Sequence, residues 1–457
     1  MILRIKVTIL FVITYLFSQS ALSQKEETVK NIFNEALTNG QAYTWLDYLS
    51  NQIGGRLSGS PEAAAAVNFT KQVMDTLGFD KVYLLEVMVP HWVRGKKEIA
   101  RVNSKKRGDV SLDICALGNT IGTGPAGITA EIVIVDSFDA LAKLGKKGVK
   151  GKIVFFNVPM NQQYYYTFRA YSDAVKYRVN GASEAAQYGA VAVVVRSLST
   201  AEDDFPHTGT CQYKEGTTPI PANAISVKSA LLLAEILKVE PNLRLYLESH
   251  CQMLPDVLSY NVVGEITGSE RPNEYIIVGG HLDAWDLGDG AHDDGAGCVQ
   301  SIEALHLLTK LGIQPKHSIR VVMFINEENG LRGGKKYAEI AQEKGENHLI
   351  AIESDAGGCT PQAFSVDAPE KQYFQQVKAV ASFLRPYGMQ IIKDGGGADI
   401  SPLKPQGTTL IGLRCDSQRY FDYHHSAADT FDKVNKRELH LGAAAMASLV
   451  YLLDTNW

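Results

Sequence analysis

The feature that most constrains this chain is a run of long strands alternating with long helices from Tyr260 onward. Ile319 to Ile325 is apolar without a break, the pattern of a strand covered on both faces of its sheet rather than one. Tyr275 to Val278, His348 to Ile352 and Thr409 to Leu413 read the same way. Between and after them, helices are predicted over Gly295–Leu311, Leu331–Lys344, Gln372–Leu384 and Arg437–Leu453, with Gly312 placed to end the first. The reading is an α/β fold. Its polar clusters fall just past the C-terminal ends of the strands, the edge where open α/β sheets bind ligands.

The preceding residues carry other signals. Arg4, Lys6, the apolar run Val7 to Phe17 and the small residues up to Ser23 match a cleavable secretory signal over residues 1–23. The apolar run is too short for a bilayer, which needs about 20 residues, and no later stretch qualifies, so an exported chain starting near Gln24 with no membrane span is expected. Ser60 followed by Pro61 predicts an N-cap and first turn of a helix reaching Leu77, with a strand over Val82–Val89. After about Gly118 the elements shorten. Strands are expected at Ile132–Val135, Ile153–Asn157 and Ala190–Val195, with a helix over Ala182–Tyr188 and a tyrosine-rich stretch at Tyr164–Tyr166. The 457 residues carry a net charge of −5 with no long basic run, which argues against a nucleic-acid partner. Six cysteines at wide spacings match no zinc-ribbon pattern. They are expected to be mostly buried free thiols, with a Cys211–Cys251 bridge as the one pairing considered.

Four clusters carry the chemistry: Gly279-Gly280-His281-Leu282-Asp283; His292-Asp293-Asp294-Gly295; Asn326-Glu327-Glu328 with Glu353-Ser354-Asp355; and Tyr420-Phe421 with His424-His425 and Asp429. So many carboxylates in one cleft repel unless cations neutralise them. Carboxylate plus imidazole suits zinc or a similar transition metal.

Together with Pro90-His91-Trp92-Val93-Arg94-Gly95, these motifs resemble the co-catalytic zinc peptidases of family M28 over essentially the whole chain after the signal. The resemblance implies a three-layer α/β/α mixed sheet, formed by residues 24–120 and 260–457, with a protease-associated-like insertion over 121–259. It implies two Zn2+ ions held by His281, Asp293, Glu328, Asp355 and His425, with Asp293 bridging, a cis peptide between Asp293 and Asp294, and Glu327 as general base. Asp283 would hydrogen-bond the far nitrogen of His281, and Asp429 would do so for His425. His424 would either steady the oxyanion or pack as a core histidine, and His292 would be a wall residue. Tyr164–Tyr166 would be a lid, a dimer contact or a solvated loop. The implied substrate is a short peptide with free termini, and the implied assembly a homodimer. Two other functions on the same fold are a single-zinc acyltransferase that cyclises N-terminal glutamine and a non-catalytic binding module. The insertion and the full two-metal ligand set argue against the first, and the presence of all five ligands and the base argues against the second. A serine-hydrolase elbow and a His-Glu-x-x-His motif are absent.

Overall fold

The computed structural model describes residues 22–457. The expected signal segment falls outside them except for its last two residues, which lie in a helix over 22–39. Two eight-stranded sheets organise the rest. In order across the first sheet, the strands are Lys81–Val93, Gln252–Ile266, His317–Phe324, Arg271–His281, Asn347–Ser354, Thr409–Cys415, Pro361–Asp367 and Gln390–Lys393. The four from His317–Phe324 to Thr409–Cys415 are mutually parallel, flanked by antiparallel neighbours. His317–Phe324 is buried at every position, so both of its faces are covered, as its unbroken apolar run requires.

The helices form where the sequence caps them. The Ser60 hydroxyl accepts from the Ala63 amide with Pro61 at the first turn of Pro61–Asp75. The Asn435 side chain accepts from the amides of Arg437 and Glu438 to open Lys436–Asp454. That last helix packs on Ala296–Lys310, which lies against the central parallel strands. Among the described residues no helix is long and apolar enough to cross a membrane.

The second sheet runs Gly108–Leu112, Ile99–Ser104, Arg244–Glu248, Ile128–Val135, Ile153–Phe156, Ala192–Arg196, Ala222–Ile225 and Ile114–Ala116. It draws on residues 99–248, so its edges differ from the expected 121–259. The three short strands before Gly118 join this sheet, and Gln252–Ile266 belongs to the first. Short antiparallel strands directly after a long one look in sequence like its continuation. The helix expected over Ala182–Tyr188 runs Thr167–Ala186, burying Ala170, Ala174, Tyr177 and Gly181 at helical spacing behind a polar outer face. Tyr165 and Tyr166 are exposed at the end of that helix, while Tyr164 packs in an apolar cluster that also holds Tyr420 and Phe421. All six cysteines are free and buried, and Cys211–Cys251 is not formed.

Candidate active site

Three parallel strands end side by side and deliver their next residues into one cleft. His281 closes Arg271–His281, Glu327 and Glu328 follow His317–Phe324, and Asp355 follows Asn347–Ser354. The amides of His281 and Gly297 donate to the two oxygens of the Asp294 carboxylate, at 3.0 Å each, which ties the strand end to the start of Ala296–Lys310. Gly297 must be glycine, since a Cβ there would collide with the Ser354 carbonyl and Asp294. The Asp293–Asp294 peptide is cis. The loop between His281 and Asp293 is held from beneath by Arg56, which is fully buried. Its Nε donates to Leu282 O at 2.7 Å, and its two terminal nitrogens to Gly54 O (3.1 Å), Asp289 O (2.8 Å) and Gly290 O (2.9 Å).

The five expected ligands converge. Asp293 Oδ1 lies 3.2 Å from His281 Nε2, which lies 3.7 Å from Asp355 Oδ1. Asp293 Oδ2 lies 3.1 Å from His425 Nε2, itself 3.0 Å from Glu328 Oε2. The two oxygens of one carboxylate thus face two different histidine–carboxylate groups. His424 stacks on His425 with ring centroids 3.6 Å apart and places Nε2 3.6 Å from Asp293 Oδ2. Tyr171, Tyr420 and Phe421 surround its ring, so it is at once packed and turned to the cleft.

Two supporting residues act differently from expectation. The far nitrogen of His281 is 2.8 Å from the main-chain carbonyl of Asp283, not its side chain. The Asp283 carboxylate instead accepts from the Glu327 amide at 3.0 Å and so aims the Glu327–Glu328 turn. Asp429 makes no hydrogen bond to the His425 ring. Its oxygens accept from the amides of His292 (2.8 Å) and Asp293 (3.0 Å), fixing the main chain of the bridging residue. His292 stays in the wall: its Nδ1 accepts from the Gly358 amide at 3.1 Å, and burial pushes its pKa down to about 4. Glu353 accepts from the amides of Ala398 and Ile400, beneath Asp355.

Burial dominates the electrostatics. It raises Glu327 well above the usual carboxylate range, with Asp355 and Glu328 adding to it against the opposing pull of His281. It lifts Glu328 to about 7, helped by Asp293 and opposed by His425. Asp293 goes the other way: burial raises it, but His425, His281 and His424 outweigh burial and hold it well below its ordinary value. Burial disfavours charge on His425, yet Glu328 and Asp293 prevail and raise it to about 9. Glu328 Oε1 is buried without a hydrogen-bond partner among the described residues. Two overlapping sets, His281–Asp293–Asp355 and Asp293–His424–His425, each bring their ligand atoms within 4.8 Å of one another. An acid-rich pocket with imidazole nitrogens and an unpartnered buried carboxylate oxygen fits a bound cation.

The second sheet's module lies over the cleft, as the likeness to a protease-associated domain implied, but the side chains it lends were not among the expected site residues. Arg178, on Thr167–Ala186, sets one terminal nitrogen 3.3 Å from His425 Nδ1 and donates from the other to the Tyr171 hydroxyl at 2.8 Å. Thr208 N donates to His425 O at 2.9 Å, and His207 Nδ1 lies 2.6 Å from His424 O. Nothing local to residues 178 or 207–208 in the sequence signals these contacts.

The model of peptidase family M28 matches residues 261–450, which hold every expected ligand. Carboxypeptidase Q of Bos taurus is 34% identical over 431 residues, 93% of this chain and 89% of the relative. The chain belongs to peptidase family M28. The crystal structure of a peptidase M28 precursor from Shewanella amazonensis superposes with a TM-score of 0.90 at 33% identity, covering 94% of this chain and 97% of that one. A zinc aminopeptidase from Bacillus subtilis shares the fold, with a TM-score of 0.66 at 18% identity over 91% and 95% of the two chains. This M28 chain is a metallo-exopeptidase of mixed α/β architecture.

Proposed function

We propose that this chain hydrolyses short peptides with free termini, using two zinc ions that share Asp293. One observation carries the reading: the two Asp293 oxygens face separate groups, Oδ1 toward His281 and Oδ2 toward His425. His281 and Asp355 would hold one ion, and His425 and Glu328 the other. Zinc bound there would polarise the scissile carbonyl and lower the pKa of a water between the ions.

The chain's own groups do the rest. Glu327 is aimed by the bond from its amide to Asp283 and is left free of metal duty. Its carboxylate takes the water's proton and passes it to the leaving amine, a task its raised affinity for protons suits. His424 turns Nε2 toward the cleft beside Asp293, where it steadies the developing oxyanion. Arg178 lines the cavity with its Nε unpartnered and no carboxylate in ion-pair reach among the described residues. It is placed to receive a peptide's terminal carboxylate. The cavity holds about 240 Å³, below the roughly 300–1,000 Å³ common for ligand sites, which favours a substrate of two or three residues. A neighbouring hollow of about 440 Å³ shares Phe168 and Asp355 with it and has room for a side chain. Export and homodimerisation belong to the same reading. N-terminal sequencing of the mature protein and light scattering test them.

The deciding experiment is a dipeptide panel with free and blocked termini on zinc-loaded protein, with zinc counted. Hydrolysis of free dipeptides with two ions per chain is expected, with Arg178→Met raising KM only for substrates with a free carboxylate. One ion with glutamine cyclisation would move the assignment to the acyltransferase. No turnover of any peptide would leave a binding module.

A further inference from the structure

The Pro90–Gly95 motif contributes no side chain to the metal groups, yet its arginine is almost fully buried at the junction of the two sheets. We propose that Arg94 is a positioning residue for the His425 half of the metal site, a proposal that rests on the two-ion reading above. Its guanidinium makes a fork onto Asp286, from Nε at 2.8 Å and from one terminal nitrogen at 2.7 Å. The other terminal nitrogen donates to Glu98 at 3.1 Å and to Ala116 O at 2.7 Å. Glu98 also accepts the Ala116 amide at 2.7 Å, and the Thr208 hydroxyl donates to the same Ala116 carbonyl at 2.9 Å, itself 3.5 Å from the guanidinium.

One side chain therefore joins three pieces: Asp286, in the loop behind His281; the Glu98–Ala116 edge of the second sheet; and Thr208. From Thr208 the link to chemistry is direct. Its amide donates to the His425 carbonyl at 2.9 Å, and its own carbonyl lies 3.4 Å from His425 Nδ1. His425 has φ +62°, the left-handed region that residues other than glycine seldom adopt unaided. Fixing Thr208 thus holds an unfavoured backbone at a metal ligand and aims its ring. A lysine keeps the charge but, as a point donor, cannot span Asp286, Glu98, Ala116 and Thr208 together.

The test compares Arg94→Lys and Asp286→Asn with Glu346→Gln, a control that weakens the buried Arg320–Glu346 pair in the first sheet. Zinc is titrated into metal-free protein, and amide exchange is followed without metal. The expected result for Arg94→Lys and Asp286→Asn is a 10–100-fold loss of affinity for one ion with the other unchanged, the range found when a group supporting a metal ligand is removed. Exchange at the Thr208 amide should rise tenfold or more while the His317–Phe324 strand stays protected. The control should lose stability and keep both affinities. The proposal is overturned if both ions bind as in wild type, or if both weaken equally with exchange raised along the whole chain. Should wild type take up a single ion, the two-ion reading falls, and the exchange comparison in metal-free protein still decides for or against Arg94.

Discussion

Zinc loading should be strongly coupled to proton release, and the size of the effect can be worked from the His425 environment. His425 Nε2 lies 3.0 Å from Glu328 and 3.1 Å from Asp293. Those carboxylates overcome the cost of burial and raise its pKa to about 9. Coordination needs the lone pair that this proton occupies. At pH 7 the displacement spans about two pKa units, or ~2.7 kcal/mol at 1.36 kcal/mol per unit. The sign follows: because His425 stays protonated up to about pH 9, apparent affinity at its site rises with pH and levels off above that value. From this proton alone the gain is about tenfold per unit, roughly 100-fold from pH 6 to 8. Glu328, raised to about 7, adds a second proton to displace at the acid end. Competition against a chromophoric chelator at pH 6, 7 and 8 reads the affinity. Calorimetry at pH 7 in buffers of different ionisation heat counts the protons. A binding heat independent of buffer, with affinity flat across that range, would refute the reasoning, because Nε2 would then carry no proton between those carboxylates.

Glu327→Gln should keep both ions and lose turnover by about 10²–10⁴-fold. A kcat near wild type would remove Glu327 from proton transfer. Asp429→Asn sets an amide donor against one of the main-chain N–H groups at His292 and Asp293, a loss of about 1–3 kcal/mol. Thermal unfolding without metal should show a lower Tm, and an unchanged Tm would count against the anchoring role. Arg56→Met leaves four main-chain carbonyls without their donor, those of Leu282 and Gly290 in buried contacts, and should destabilise the metal-free protein by about 3 kcal/mol or more. Urea unfolding measures it, and a change under 1 kcal/mol would be inconsistent with those bonds.

The first sheet was legible because strands covered on both faces leave an unmistakable apolar run, as Ile319–Ile325 does. Part of the proposed ligand group was legible because His281, Glu328 and Asp355 sit at or just past the ends of adjacent strands, whereas Asp293 and His425 come from loops beside helices. The supporting contacts were not. Asp283 and Asp429 both bind main-chain amides, and which amide a carboxylate reaches depends on turn geometry that residue identity does not encode. Arg178 and Thr208 meet His425 across hundreds of residues, with no local pattern to announce it. The start of the second sheet was missed because Ile99–Ser104 and Gly108–Leu112 form a short hairpin whose partner, Arg244–Glu248, arrives much later in the chain.

That Thr208 and His207 grip the main chain of His424 and His425 bears on how the enzyme comes into being. The partners stand 217 residues apart, and contacts of such span form late. A chain emerging from the ribosome carries His281, Asp293, Glu328 and Asp355 before it carries His425, the last of the proposed ligands. A fragment stopped short of residue 424 would hold an acidic trough with no imidazole opposite Glu328. Proteolytic competence is therefore a property of the finished polypeptide, conferred when its C-terminal segment seats on a module made half a chain earlier.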